Sequence, residues 1–288
     1  MNYGPLVFLA AFFALSASWF GLVLTPVMQI GRQEQGTNVV NTAEMYPQLR
    51  PGMAHQGLEV YRANNCAACH SQQVGQTGIV VDVVLTEPGT NLNAVVAVLK
   101  KSEATATAAG LAGGLPKTVL QGGTIDAAEA LVKAFKTAGA KAQTQLVPLG
   151  PDIARGWGAR RTVSRDYMAD YPVMLGSLRV GPDLANIGTR SPDANTHLTH
   201  LYAPRAVVGD SAMPSYRFLF ETRKIQGQRS PDALKLTGDF APAAGFEVVP
   251  KPEAKQLVAY LLSLHSDTPL FEAPMSAPAA PKPIAAAK

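Results

Sequence analysis

The chain is short of charge, of cysteine and of basic clusters, and each shortage excludes something. Charged residues make up 16% of its 288 positions, against ~25% in ordinary soluble domains. Much of the deficit lies at the start, where no charged side chain precedes Arg32. The 25 Lys and Arg and 21 Asp and Glu are spread along the chain. No basic block of the kind that tracks phosphates is present, so a nucleic-acid partner is not expected. Only two cysteines occur, Cys66 and Cys69, which rules out a disulfide-stapled scaffold. No Ser/His/Asp or paired-carboxylate arrangement points to an independent catalytic site.

What is present begins with residues 5–30, PLVFLAAFFALSASWFGLVLTPVMQI, 26 positions without a charge. A helix rises ~1.5 Å per residue, so about 20 residues cross a ~30 Å hydrocarbon layer. Ser16-Ala17-Ser18 resembles a signal-peptide cleavage site. Against cleavage, the first four residues carry no Lys or Arg and the apolar run continues past that site. The pattern predicts a retained transmembrane anchor over residues 1–31. Arg32 is the one basic side chain near either end, so charge specifies its orientation poorly.

Both cysteines fall in YRANNCAACH, residues 61–70, which places Cys66, Cys69 and His70 in the C-x-x-C-H pattern. Two thiols three positions apart can both add to the vinyl groups of one haem, and the following histidine then sits beneath the iron. A C-x-x-C alone also suits a redox dithiol or half of a zinc site. The first expects a thioredoxin-like βαβ context and the second needs another Cys/His pair, and neither is found. The motif therefore predicts one covalently bound haem c, with His70 on the metal.

Residues 53–61 read as a short helix. Residues 252–264 read as an amphipathic one, with Leu257, Tyr260, Leu261 and Leu264 at i, i+3, i+4 and i+7. With the haem motif, this layout resembles the cytochrome c family, whose first and last helices cross with a glycine and an aromatic ring in contact. The resemblance implies that Gly57 and Tyr61 meet Tyr260, and that a methionine completes the iron. Of Met45, Met53, Met168, Met174, Met213 and Met275, Met213 lies in a turn-rich loop between the motif and the last helix, as that ligand should. His197 and His200, three positions apart, are rivals that would give a bis-histidine haem. Gly181-Pro182-Asp183-Leu184 resembles the Gly-Pro-x-Leu of small cytochromes c, in which the proline carbonyl accepts a hydrogen bond from the proximal histidine. Pro182 would then orient His70. Arg160, Arg161, Arg179, Arg190 and Arg205 supply guanidinium groups, one or two of which could pair with haem propionates.

Longer runs narrow the resemblance. They are GWGARRTVSRDY from Gly156, LGSLRVGPDLANIGTR from Leu175, HLTHLYAPR from His197 and SAMPSY from Ser211. With CAACHSQ and the single anchor, they resemble the monohaem subunit II of cbb3-type cytochrome c oxidases over residues 1–75 and 148–265. The resemblance implies a bacterial cytoplasmic-membrane protein whose haem domain faces the periplasm. Such a subunit takes electrons from another c-type cytochrome and relays them singly to the haem-copper catalytic subunit, where oxygen is reduced. Thr196 stands where the family usually has Trp, and the basic stretch 155–165 replaces an acidic one. A free-standing anchored electron carrier and the monohaem subunit of a nitric-oxide reductase-like complex are the alternatives.

Residues 76–147 intervene where the family has little. Residues 79–85 read as a strand, Leu92, Val95, Val96 and Leu99 mark a helix, 116–120 are extended, 125–138 are helical and 140–147 return as a strand. VAVLKK, LPKTVLQG and AEALVKAFKTAGAK resemble the C-terminal domain of ribosomal protein L7/L12. That domain's lysine-bearing helix corresponds to 102–114, which has no lysine here, so a translation-factor role is unsupported; re-use of the fold for docking or packing is expected, with an ornamental insertion on a tolerant loop as the alternative. From Thr268 a Pro/Ala-rich tail shows no periodicity and is expected to be extended or disordered, with Leu270 and Phe271 able to pack on a neighbour. The expected fold is mainly α: an anchor (1–31), a cytochrome c domain (32–75 and 148–267), an inserted α/β domain (76–147) and a tail (268–288).

Overall fold

The computed structural model describes residues 3–30, 36, 45–50, 52–89, 91–101 and 114–275. Arg32, nearly all of the 102–114 stretch and the tail beyond Met275 lie outside the described residues. The chain divides into two units, residues 1–49 with 164–173, and residues 50–163 with 174–288.

In the first unit a helix runs through α1 (Gly4–Trp19), a wider π-type turn (Phe20–Leu24) and α2 (Thr25–Ile30). Its apolar residues face all round, and no side chain of α1 is buried. The stretch Gly4–Gln29 spans 26 residues and is long and apolar enough to cross a membrane. Beyond it the Tyr46 hydroxyl donates to the Asp166 carboxylate.

The second unit holds two hydrophobic cores. α3 (Met53–Ala63) leads to the cysteine motif, and the chain then enters β1 (Gly78–Glu87), α4 (Leu92–Lys101), β2 (Lys117–Gly123), α5 (Ile125–Thr137) and β3 (Lys141–Leu149). β1 is the middle of an antiparallel sheet ordered β2-β1-β3. Alternation along β1 turns Val81, Val83 and Leu85 inward, where they pack with Val95 and Leu99 of α4 and Leu131 and Phe135 of α5. Thr124 caps α5 by accepting from the Ala127 amide, and Gly139, at φ +77°, ends it. The chain enters and leaves this core at neighbouring points: the Thr77 amide donates to the Leu149 carbonyl over 2.8 Å.

After β3 come α6 (Pro151–Ala154), α7 (Ile187–Arg190), α8 (Ala194–Tyr202), α9 (Pro204–Val207), β4 (Phe220–Lys224), β5 (Phe246–Pro250) and α10 (Pro252–Leu262). α10 crosses α3 at Gly57, where an added Cβ would lie 1.9 Å from the Gln256 carbonyl oxygen. Only glycine permits so close an approach. The Tyr61 and Tyr260 rings then meet with centroids 5.3 Å apart. α8 owes its start to Asp193, whose carboxylate accepts from the Asn195 and Thr196 amides.

Two features differ from the sequence expectation. β4 and β5 form a second sheet, an antiparallel pair in register from Phe220↔Pro250 to Lys224↔Phe246, so the chain mixes helix with two separate sheets. The expected tail begins too early: Leu270 and Ala273 are fully buried within the chain itself, while Phe271 is exposed. The fully buried Arg160 holds this segment by donating from Nε to the Thr268 carbonyl over 2.6 Å, and Arg161 donates to the Glu272 carbonyl.

Candidate functional site

Asn65, in the left-handed region at φ +54°, turns the chain out of α3 and into a single 3-10 turn, Cys66–Ala68. The His70 amide donates to the Cys66 carbonyl over 3.0 Å, so the motif coils on itself with both thiols free. Burial pushes the Cys66 thiol up to about 11. Reactive dithiols depend on the opposite shift. Among the described residues no cluster of three or more His, Cys, Asp or Glu side chains stands ready to hold a bare metal ion.

Residues 175–184 run alongside the motif. The Ser177 amide donates to the Ala67 carbonyl, Gly181 to Cys69, Leu184 to Ser71, and Gln72 back to Leu175, all over 2.8–3.0 Å. This pairing delivers the Pro182 carbonyl to His70 Nδ1 at 2.8 Å. Gly181 lies flat against the imidazole: a Cβ there would come within 2.2 Å of Cε1. Gly176, at φ +83°, would bring a Cβ within 2.3 Å of the His70 carbonyl oxygen. Gly181 opens the Gly-Pro-x-Leu-like motif, whereas Gly176 carries no local signal beyond being a glycine in a loop; the close fit of both against His70 shows only in the folded backbone.

Above His70 opens a cavity of about 510 Å³, within the ~300–1,000 Å³ range of cofactor pockets. Cys66, Cys69, His70 and Pro182 line it together with Met213, His197, His200 and Arg190. Its walls are otherwise mostly apolar, with Leu184, Ile187, Leu201, Leu257 and Leu261 supplied by the core and Val180, Val207 and Val208 at exposed positions. The five sequence-predicted residues, from separate parts of the chain, therefore share one cavity.

The rival histidines line the same cavity but are not equivalent. His197 Nε2 lies 2.7 Å from the Ser191 carbonyl, which can only accept, so that nitrogen carries a proton. Burial, more than any neighbour, lowers the pKa of both His197 and His200. The five arginines also separate. Arg160 and Arg161 hold the C-terminal segment, Arg179 reaches Asp152, and Arg205 Nε is 3.3 Å from the Ser211 carbonyl. Arg190 donates from Nη2 to the Asp183 carbonyl, and its buried Nη1 has no hydrogen-bond partner among the described residues. A buried, unpaired guanidinium nitrogen is costly and calls for an anion.

The residues present thus fit a haem: an apolar slot of suitable size, two thiols and an imidazole at one wall, a thioether in the lining and a cation awaiting a carboxylate. Residues 141–240 match the family model described as cytochrome C oxidase, mono-heme subunit/FixO. No curated protein matches the chain. The matched stretch contains Pro182, Arg190 and Met213, and lies wholly C-terminal to Cys66–His70. That family implies a mono-haem cytochrome of a cbb3-type oxidase, and thus electron transfer, and the stretch that resembles it is about a third of this chain.

Proposed function

We propose that the chain is a membrane-anchored, monohaem c-type cytochrome that relays single electrons to the catalytic subunit of a haem-copper oxidase. The observation that carries this reading is the convergence of Cys66, Cys69, His70 and Met213 on one cavity, with His70 Nδ1 bonded to the Pro182 carbonyl. Bound haem supplies a one-electron Fe(II)/Fe(III) couple. Cys66 and Cys69 would tether the porphyrin as thioethers, and His70, its ring held by Pro182, would offer Nε2 to the iron. Met213 would supply a thioether as a second ligand, and Arg190 Nη1 would pair with a propionate. The match over 141–240 supports the oxidase assignment, and the apolar helix Gly4–Gln29 supports membrane anchoring; the periplasmic placement of the haem domain follows from the family resemblance.

The test is purification from native membranes in mild detergent, with haem spectra and oxygen uptake recorded on the same peak. Co-elution of haem c with b-type haem, copper and oxygen consumption is expected. Haem c eluting alone, under conditions that keep a known oxidase intact, would instead identify a free-standing carrier.

A further inference from the structure

Behind the His70–Pro182 contact lies a set of charges that the haem reading leaves without a role. Asp152 is 2% exposed and Asp183 fully buried. Asp183 Oδ2 accepts from the Ser71 hydroxyl at 2.5 Å and the Gln73 amide at 2.7 Å, and Oδ1 accepts from the Ala185 amide at 2.8 Å. Asp152 accepts from the Gly75 amide at 2.7 Å. Arg179, with its side chain 38% exposed, covers both carboxylates. Its Nη1 is 2.9 Å from Asp152 Oδ1, and its Nη2 is 3.9 Å from Asp183 Oδ2. Nε donates to Ser71 Oγ over 3.0 Å, and Nη2 to the Gln73 carbonyl.

These contacts are placed where they bear on the imidazole. Ser71 follows His70 directly, and Asp183 follows Pro182 directly. One carboxylate therefore ties together the two strands of chain that carry the His70–Pro182 hydrogen bond. A fully buried carboxylate needs hydrogen bonds and a counter-charge to offset its lost hydration. Arg179 provides counter-charge at 3.9 Å from Asp183 while its hydrogen bonds go to Ser71, Asp152 and Gln73, and Arg190 is the other cation beside Asp183.

We propose that Asp183 and Arg179 act as an opposed pair of positioning residues that fix the proximal imidazole and bias the haem potential in opposite senses. This rests on the haem reading above. A buried negative charge favours the ferric state, whose net charge is the more positive, and the neighbouring cation favours the ferrous state. Asp183 has the stronger hold because it is enclosed, whereas Arg179 is partly screened by solvent. A purely structural role predicts something different. Loosening the loop from either side would let water into the pocket and move both variants in the same direction.

The experiment uses full-length, detergent-purified holoprotein at mildly alkaline pH, where carboxylates keep their charge. Asp183→Asn, Arg179→Gln and Arg179→Lys are compared with the wild type by spectroelectrochemical titration. The midpoint is expected to rise in Asp183→Asn, fall in Arg179→Gln and return toward wild type in Arg179→Lys. At the wild-type midpoint the ferrous-to-ferric ratio should change by about threefold or more in each direction. Shifts of the same sign, or none, would overturn the proposal. If Arg179→Gln does not accumulate, Asp183→Asn against Arg179→Lys carries the test, since only the former changes charge; equal midpoints would overturn it. A denaturing gel stained for haem separates the two levels: wild type without covalent haem sinks both readings, while haem present with same-sign shifts sinks this one alone.

Discussion

The carbonyl oxygen of Pro182 lies 2.8 Å from Nδ1 of His70, a residue 112 positions earlier in the chain. A carbonyl only accepts, so Nδ1 carries a proton and Nε2 is the nitrogen left to face a metal. With Gly181 flush against the ring, the imidazole has its tautomer and plane set by the protein alone. Pre-setting of this kind is what a metal-bound histidine needs if its donor strength is to be fixed.

Met213 lines the same cavity, and in the proposed function it has the corresponding task. Its amide lies 3.3 Å from Ser211 Oγ, within a loop that also supplies Ala212 and Pro214 to the cavity. Met213→Ala is expected to lower the midpoint potential and to let carbon monoxide or imidazole bind the iron, because a thioether favours Fe(II) and blocks the site. Titration and ligand-difference spectra on one sample check this. An unchanged potential with no new ligand binding removes Met213 from the site.

Gly57 sets how closely α3 and α10 approach. With the Gln256 carbonyl oxygen 1.9 Å and Tyr260 Cβ 2.7 Å from where a Cβ would stand, the clash is largely with backbone and cannot be relieved by a rotamer change. Gly57→Ala should cost about 1–3 kcal/mol or more, as overpacking does. A lowered urea midpoint, with the Tyr61–Tyr260 contact disturbed in near-ultraviolet circular dichroism, is the expected result. A midpoint equal to wild type would mean the helices cross elsewhere.

The elements that could be read in the sequence share a property: their pattern is local. α10 shows its buried face as Leu257, Tyr260 and Leu261, β1 alternates, and α5 carries both a cap and a terminal glycine. β4 could not be read this way. Four of its five residues are exposed, so it shows no alternation, and its partner strand begins only at Phe246. Arg160 reads in the sequence only as one of five candidate propionate partners, because its Thr268 acceptor lies 108 residues away. The Asp152, Arg179 and Asp183 set is invisible for the same reason. Its links to the loop after His70 span separations of 77 to 112 residues. The cavity residues Cys66, Cys69, His70, Pro182 and Met213 were legible as types in short motifs, whereas the close fit of Gly176 and Gly181 arises only once the backbone is folded against His70.

Acid should loosen the β4–β5 region through Glu247. This side chain is 2% exposed, and its carboxylate accepts from the Ser230 amide at 2.7 Å and from Arg223 Nε at 2.9 Å. The Ser230 amide foremost, helped by Arg223, holds its pKa below the ordinary 4.5 despite burial. As pH falls, the unfolded chain therefore takes up this proton before the folded one does. The stabilisation is complete above the unfolded value and is lost as pH drops through the folded one. Urea midpoints should fall less steeply below about pH 4.5 in Glu247→Gln than in wild type. Parallel slopes would show that the carboxylate is not linked to folding.

Leu270 tests whether the segment after α10 belongs to the fold. Composition alone places it in a Pro/Ala-rich tail, yet its side chain is 0% exposed and Ala273, whose amide donates to the Leu270 carbonyl, is buried with it. Arg160 and Arg161 grip the same segment through the Thr268 and Glu272 carbonyls. The buried Arg160 guanidinium thus has part of its hydrogen bonding supplied by this stretch, and displacing it would strip a fully desolvated cation of an acceptor. Leu270→Ala should cost about 2–5 kcal/mol, as for other leucines deleted from a packed interior. Phe271→Ala, at a position 74% exposed, is the control and should leave the urea midpoint nearly unchanged. If both variants match wild type, the segment is a loose tail and Arg160 finds its partners elsewhere. If only Leu270→Ala is destabilised, the folded domain extends at least to Ala273.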